Sequence, residues 1–205
     1  YYTYKLAGGS WVTPIDFDDI AQGARMVVDP NGGIHLTWMP YLSHINYRYA
    51  EPGETLDNSA TVRIDGSSTM GNGGIAVTHG GTVHLSPHFS RKIWHTYKPT
   101  DGSFSDLTCA TIVEVGGEYE IFNAIGADES GKVFVSWAQM VDGVNSVQLS
   151  VLQDESWTVH TVDPQANVGG RNAVNMPVIA MTDNAAYLLW RHDDNSLYLG
   201  EYPLP

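Results

Sequence analysis

Two pairs of residues in this sequence join a titratable ring to a fixed positive charge: His88 with Arg91, and Arg191 with His192. A histidine takes or gives a proton near neutral pH, and a guanidinium neutralises an acidic group. Together they suit proton abstraction beside a uronate carboxylate, the first step of a polysaccharide lyase. These four are the candidate catalytic residues. A second chemistry is open to carboxylates. Asp18, Asp19, Asp193, Asp194, Glu118 and Glu120 could pair as acid and base on a glycosidic bond, although so many candidates single out none. His44, His88 and His192 recur in comparable loops, where three imidazoles could meet a transition metal; no metal site is assigned. The doublets Asp18-Asp19 and Asp193-Asp194 carry the hard oxygen donors that calcium takes, though acidic doublets are usually just solvated. No other cofactor is called for. Trp38, Trp137 and Trp190 offer indole faces of the kind that stack on sugar rings. The candidate ligand-binding set is therefore Trp38, His44, His88, Arg91, Trp137, Trp190, Arg191, His192 and Asp193.

Each group also has a structural reading. The three tryptophans suit packing between sheets. His35, His84 and His95 sit inside strand-like runs and read as structural. Cys109, the one cysteine, falls in the apolar run Leu107 to Val115 and reads as a small buried hydrophobe; no disulfide can form within the chain. No nucleophile elbow, phosphate-binding loop, dinucleotide fingerprint or zinc-protease helix is present.

The elements that position these residues come from a repeat. Asp29 to Trp38, His79 to Pro87, Asp128 to Trp137 and Asp183 to Trp190 share one form: a polar turn, then a strand with strict alternation. Ile34, Val83, Val133 and Ala186 hold equivalent places, at spacings of 49, 50 and 53 residues. A short apolar strand precedes each turn (Met26-Val28, Ile75-Val77, Ala124-Gly126, Val178-Ala180). A third strand follows (Ile45-Ala50, Ile93-Lys98, Val147-Leu152, Leu197-Tyr202), then a tight turn and a fourth (Ala60-Ile64, Thr108-Val115, Trp157-Val162). The strands of each unit are called a to d here.

Four-strand units at this period predict an all-β fold, a β-propeller of four four-stranded antiparallel blades in one domain over 1–205. The blades are expected at about 17–65, 66–117, 118–165 and 166–205, the last completed by 1–16. Packing blade on blade accounts for strands apolar on both faces. Tyr2 to Leu6 looks like a c strand and Trp11 to Ile15 like a d strand, so the N-terminal d strand is expected to close the fourth blade. One c strand is then surplus, and Tyr1 to Leu6 is a candidate for self-association by strand addition. In a propeller the b–c and d–a loops share one face and the a–b and c–d turns the other. The b–c and d–a loops look longer and less alike, so that face is the expected site.

At the c–d turns the chain resembles the sialidase-like, BNR-repeat propellers, whose mark is the Asp box Ser-x-Asp-x-Gly-x-x-Trp. The matching pieces are Thr100 to Phe104, Asp154 to Trp157 and Gly8 to Trp11, all degenerate. The resemblance implies a propeller and carbohydrate as ligand class. It does not imply sialidase activity. That family grips its substrate with three arginines, one in an Arg-Ile-Pro segment, and none exists here.

Composition narrows the partners. A net charge of −13 with only 10 Lys and Arg opposes binding to nucleic acid and to anionic membranes. No apolar run is long enough to insert into a bilayer as a helix. The chain opens on Tyr1 rather than Met, as a mature or excised piece would, and the expected location is extracellular or the cell surface. The expectation is a lectin-like module that binds a glycan or polysaccharide. The alternatives are a carbohydrate-active enzyme (lyase or hydrolase) and an assembly module acting through the N-terminal strand.

Overall fold

A computed structural model describes residues 3–5, 8–14, 21–40, 44–65, 71, 73–110, 123–141, 144–165, 177–192 and 196–204. They fold almost wholly as strands in four antiparallel sheets. The first sheet runs β1 (Ala21–Val28), β2 (Ile34–Pro40), β3 (His44–Ala50), β4 (Val62–Asp65). The second runs β5 (Ile75–Val77), β6 (Val83–Leu85), β8 (Lys92–Lys98), β9 (Thr108–Cys109), with β7 (His88–Phe89) also on β8. The third runs β10 (Asn123–Ala127), β11 (Val133–Val141), β12 (Val144–Gln153), β13 (Ser156–Asp163). The fourth holds β14 (Val178–Met181), β15 (Ala185–Arg191) and β16 (Leu197–Pro203). This is the predicted propeller-blade pattern, a to d in order.

Alternation along each b strand puts one set of side chains on each face of its sheet. Apolar cores therefore form between sheets. Met39, Ile45 and Tyr47 of the first blade meet Val83 and Leu85 of the second. Ile93 and Ala110 of the second meet Val133, Val135 and Trp137 of the third. Phe134, Val147 and Leu149 of the third meet Ala186, Leu188 and Trp190 of the fourth. Phe134 and Trp137, neighbours in the same blade, are both fully buried but in opposite cores. Full burial of such a ring contributes about 1.5–3 kcal/mol, so packing between blades adds to the pairing within each sheet.

The a–b turns repeat in detail. Asp29, Thr78, Asp128 and Thr182 each stand at the end of an a strand, and their side-chain oxygens accept backbone N–H groups within the turn. Asp29 Oδ1 accepts from Asn31 (2.7 Å) and Gly33 (3.0 Å), and Asp128 Oδ1 from Ser130 (2.9 Å) and Lys132 (3.0 Å). Thr78 Oγ1 accepts from Thr82 (3.2 Å) and Thr182 Oγ1 from Ala185 (3.1 Å). Gly32, Gly81 and Gly131 take positive φ in the first three turns, where a Cβ would be strained. The repeat thus begins one residue earlier, at Thr78 and Thr182, than the sequence pattern of His79 and Asp183 suggests.

Two of the b–c connections, in the second and third blades, are tight hairpins. Ser90 and Arg91 form a two-residue turn with both φ positive, and Val141 pairs with Val144 across two residues. Strand pairing simply runs on to the hairpin tip. At the N-terminus, Lys5 pairs with Trp11 and the Val12 N–H donates to the Tyr4 carbonyl (3.0 Å), so the expected c-like and d-like segments pair with each other. Among the described residues neither pairs with β16, and the fourth sheet has three strands. The closing role assigned to Trp11 to Ile15 is not among the described pairings; Ile15, Tyr1, Tyr2 and Leu6 lie outside the described residues.

Candidate functional site

The face chosen from the sequence carries a polar joint between the third and fourth blades. Asp163 ends β13 with its carboxylate buried. Its Oδ2 accepts the Trp190 indole N–H (2.7 Å) and faces His192 Nδ1 at 2.7 Å, while Oδ1 accepts the Gln165 N–H (2.9 Å). Burial pushes this carboxyl up, but the bonds from His192, Gln165 and Trp190 outweigh it and hold it below the usual range. We assign the imidazole proton to Nδ1, donating to Asp163. The His192 ring lies 4.7 Å from that of Tyr198.

The sequence-predicted residues divide between this joint and the packing cores. Trp38, Trp137 and Trp190 are 2%, 0% and 8% exposed. Their faces are taken by packing, and the Arg48 guanidinium lies 5.7 Å from the Trp38 ring centroid. His88 is half-buried under Gly71, its Nδ1 lacks a hydrogen-bond partner among the described residues, and burial pushes its pKa down to about 4. Arg91 is exposed at the tip of its hairpin. His44 opens β3, opposite Asp65. His88 and Arg91 belong to the second blade, Arg191 and His192 to the fourth, with the third between. Asp193 lies outside the described residues, as do Asp18, Asp19, Asp194, Glu118 and Glu120. Sequence reasoning missed Asp163. Its place at the end of a d strand, beside the next blade's b–c loop, was the available signal.

Two cavities open on the other face, among the a–b turns. A central depression of about 760 Å³ is lined from all four blades, by Pro30, His79, Asp128, Glu129, Thr182 and Asp183 among others. Beside it, a cleft of about 410 Å³ lies between the second and third blades, lined by Thr78, Thr82, His84, His95, Tyr97 and Glu129 among others. Glu129 accepts the backbone N–H groups of His79 and Gly80 (3.0 Å to Gly80), which ties the third blade's turn to the second's. Among the described residues neither cavity is lined by Lys or Arg.

The cleft wall is aromatic. His84 Nδ1 and His95 Nε2 lie 3.1 Å apart, and the two rings stack at 5.4 Å. Tyr97 stacks 6.1 Å from both and is 43% exposed. Trp157 meets His95 edge-on at 5.5 Å. Burial pushes His84 down to about 4; burial, then the charge His84 would carry, pushes His95 down to about 3. Both rings are neutral near pH 7. His84 Nε2 has no hydrogen-bond partner among the described residues, so we place its proton on Nδ1, toward His95. The first blade's counterpart, His35, instead meets Tyr47 Oη (2.8 Å) and Asp29 Oδ2 (3.1 Å). All three strand histidines read as structural are buried. Cys109 is half-buried. Among the described residues no group of three His, Cys, Asp or Glu could hold a metal ion.

No family model and no curated protein matches the chain. Solved structures do resemble it. A protein of unknown function from Dyadobacter fermentans aligns over 89% of this chain and 65% of its own, at 12% identity and TM-score 0.57. The K499G mutant of NanB sialidase from Streptococcus pneumoniae aligns over 85% of this chain and 28% of its own, at 12% identity and TM-score 0.51. A fucose lectin from Kordia zhangzhouensis, in complex with methyl-fucoside, aligns over 69% of this chain and 99% of its own, at 17% identity and TM-score 0.42. The chain thus spans less than two thirds of the length of the first two. The Asp-box resemblance gains no family match, and its turns do not share one geometry: Asp154-Glu155 is a two-residue turn with positive φ, whereas Gly102 donates to the Pro99 carbonyl (3.0 Å). At these identities the likeness is one of fold, and that fold is the β-propeller.

Proposed function

We propose that the chain is a non-catalytic carbohydrate-binding propeller, working outside the cell, that takes a neutral glycan in the cleft between its second and third blades. One observation carries the reading: a half-exposed tyrosine ring faces a cleft bordered by threonine and carboxylate groups, with no Lys or Arg among its described lining residues. The CH face of a sugar packs on such a ring. Its hydroxyls donate to carboxylates. An acidic sugar would meet Asp128 and Glu129 with no counter-charge and is disfavoured. The site therefore sits on the a–b face, opposite the one expected from loop lengths.

Calorimetric titration with neutral and with uronate- or sialic-acid-containing oligosaccharides tests this. Neutral ligands should bind, and Tyr97→Ala should weaken them at least about tenfold, the loss of one stacked ring. Binding of acidic ligands alone, or an unaffected Tyr97→Ala, would overturn the assignment.

A second reading, a carbohydrate-active enzyme, has its own observation. Asp163 orients a partly exposed His192 beside Tyr198, as a carboxylate orients a general base. New chain ends released from a polysaccharide, and lost in His192→Gln, would favour it over the lectin reading.

A further inference from the structure

The cleft that holds Tyr97 and the central depression are neighbours with a common border. Thr78, Asp128 and Glu129 line both, and both open on the face of the a–b turns. The cleft holds about 410 Å³ and the depression about 760 Å³. A pocket that encloses one small ligand runs to about 300–1,000 Å³, so the pair has room for more than the single ring that Tyr97 can stack.

The border is fixed by bonds within the chain. Glu129 accepts the backbone N–H groups of His79 and Gly80, and the Thr100 hydroxyl donates to the Gly80 carbonyl (2.8 Å). The Ser130 hydroxyl donates to Asp128 Oδ1 (2.7 Å), which steadies the other carboxylate. A carboxylate has about four acceptor positions, so one that takes two N–H groups keeps capacity for ligand hydroxyls. A border already held in place needs little ordering when a ligand binds. The depression differs from the cleft in make-up. Its floor is apolar, from Val77, Ala127, Met181 and Leu204, all buried or half-buried. Its rim is polar, with His79, Ser130, Thr182 and Asp183 exposed. Among its described lining residues there is no Trp, Tyr or Phe. Sugar CH groups suit the floor and sugar hydroxyls the rim.

We propose that the ligand is a neutral oligosaccharide chain rather than a single sugar, with one unit stacked on Tyr97 and a further unit held in the central depression. The proposal rests on the carbohydrate reading above and names the form of ligand that the same face takes. The two subsites work differently: the cleft by stacking, the depression by hydrogen bonds from its rim. Asp128, Glu129 and Asp183 border the depression with no Lys or Arg among its described lining residues, so an acidic unit is disfavoured there too.

The test is calorimetric titration of the full chain with glucose, galactose, mannose and xylose, and with unbranched two- to six-unit oligomers of each. Lengthening should strengthen binding at least about tenfold over the single sugar. Asp183→Ala and His79→Ala, both on the rim, should lose most of that gain and leave binding of the single sugar unchanged. Tyr97→Ala should weaken ligands of every length. Equal affinity for one unit and for six would overturn the chain proposal and leave the Tyr97 site standing. So would rim variants that both bind the oligomers as the wild type does. No binding of any of these sugars, or no effect of Tyr97→Ala, would overturn the carbohydrate reading and this proposal with it. Circular dichroism of the variants separates loss of binding from loss of fold.

Discussion

The buried pair His84 and His95 makes the fold sensitive to mild acid, and the size of the effect follows from their burial. In the unfolded chain a histidine titrates near 6.5. In the folded chain the two rings are pushed down to about 4 and about 3, by burial first. A base whose folded pKa is depressed binds its proton preferentially in the unfolded state. Stability is therefore complete above about pH 6.5 and falls as pH drops toward the folded values. Between pH 7 and pH 5 each ring spans about 1.5 pH units in that window, at about 1.4 kcal/mol per unit, or about 2 kcal/mol per ring. His88, pushed down to about 4, adds a similar amount. Asp29 and Asp163 do not confuse the result. Their carboxyls are held low, and what they contribute is lost only as pH falls below about 4. The assay is urea unfolding followed by tryptophan fluorescence, at intervals from pH 7.5 to 5, for the wild type and His95→Phe. Phenylalanine keeps a ring against Tyr97 and Trp157 but cannot titrate. The variant's offset at pH 7 is immaterial; the slope with pH is the readout. The wild type should lose of order 2 kcal/mol more than His95→Phe over this range. Equal slopes would refute the claim that a buried neutral imidazole at this site sets the acid limit.

Further outcomes follow from other contacts. Asp163→Ala leaves the Trp190 and His192 donors without their acceptor and should destabilise the chain by about 3 kcal/mol in urea unfolding, with Asp163→Asn losing less. Gly73→Ala would drive a Cβ into the Ser86 carbonyl oxygen and set it 2.7 Å from the Asn123 amide, so a sharp fall in soluble yield and thermal midpoint is expected. Gly53→Asn, in open space at a positive φ that asparagine tolerates, should change the midpoint little. Asn123→Ala removes the acceptor of the Ser86 hydroxyl at the joint of the second and third blades, while the Gly74 N–H keeps Ser86 Oγ (2.9 Å), and should cost about 1–2 kcal/mol in the same measurement.

Much of the architecture was legible because the repeat is local chemistry. Alternation in Ile34-Trp38 and Val133-Trp137, and the Asp-to-Gly turns before them, depend only on residues a few positions apart. The strand order a to d followed for the same reason, and the structure keeps it in the first three blades, with a to c in the fourth among the described residues. The site was less legible. Trp38, Trp137 and Trp190 read equally as sugar platforms or as packing, because an indole suits both; burial between blades decides for packing. Loop length pointed to the face shared by the b–c and d–a loops; there Ser90-Arg91 closes as a two-residue turn, and most of the d–a loop residues lie outside the described residues.

The order of strands, the number of repeats and the acidic surface were determined by the sequence alone, since periodicity and charge are properties of neighbours along the chain. Only the tertiary structure decided which polar groups meet. Asp163 reaches His192 and Trp190 across 29 and 27 positions, and Glu129 reaches the His79 turn across 50. The cleft that His95 and Tyr97 share with Glu129 exists only because one blade packs on the next. Such meetings depend on how the faces of successive sheets stack, a relation no local pattern encodes.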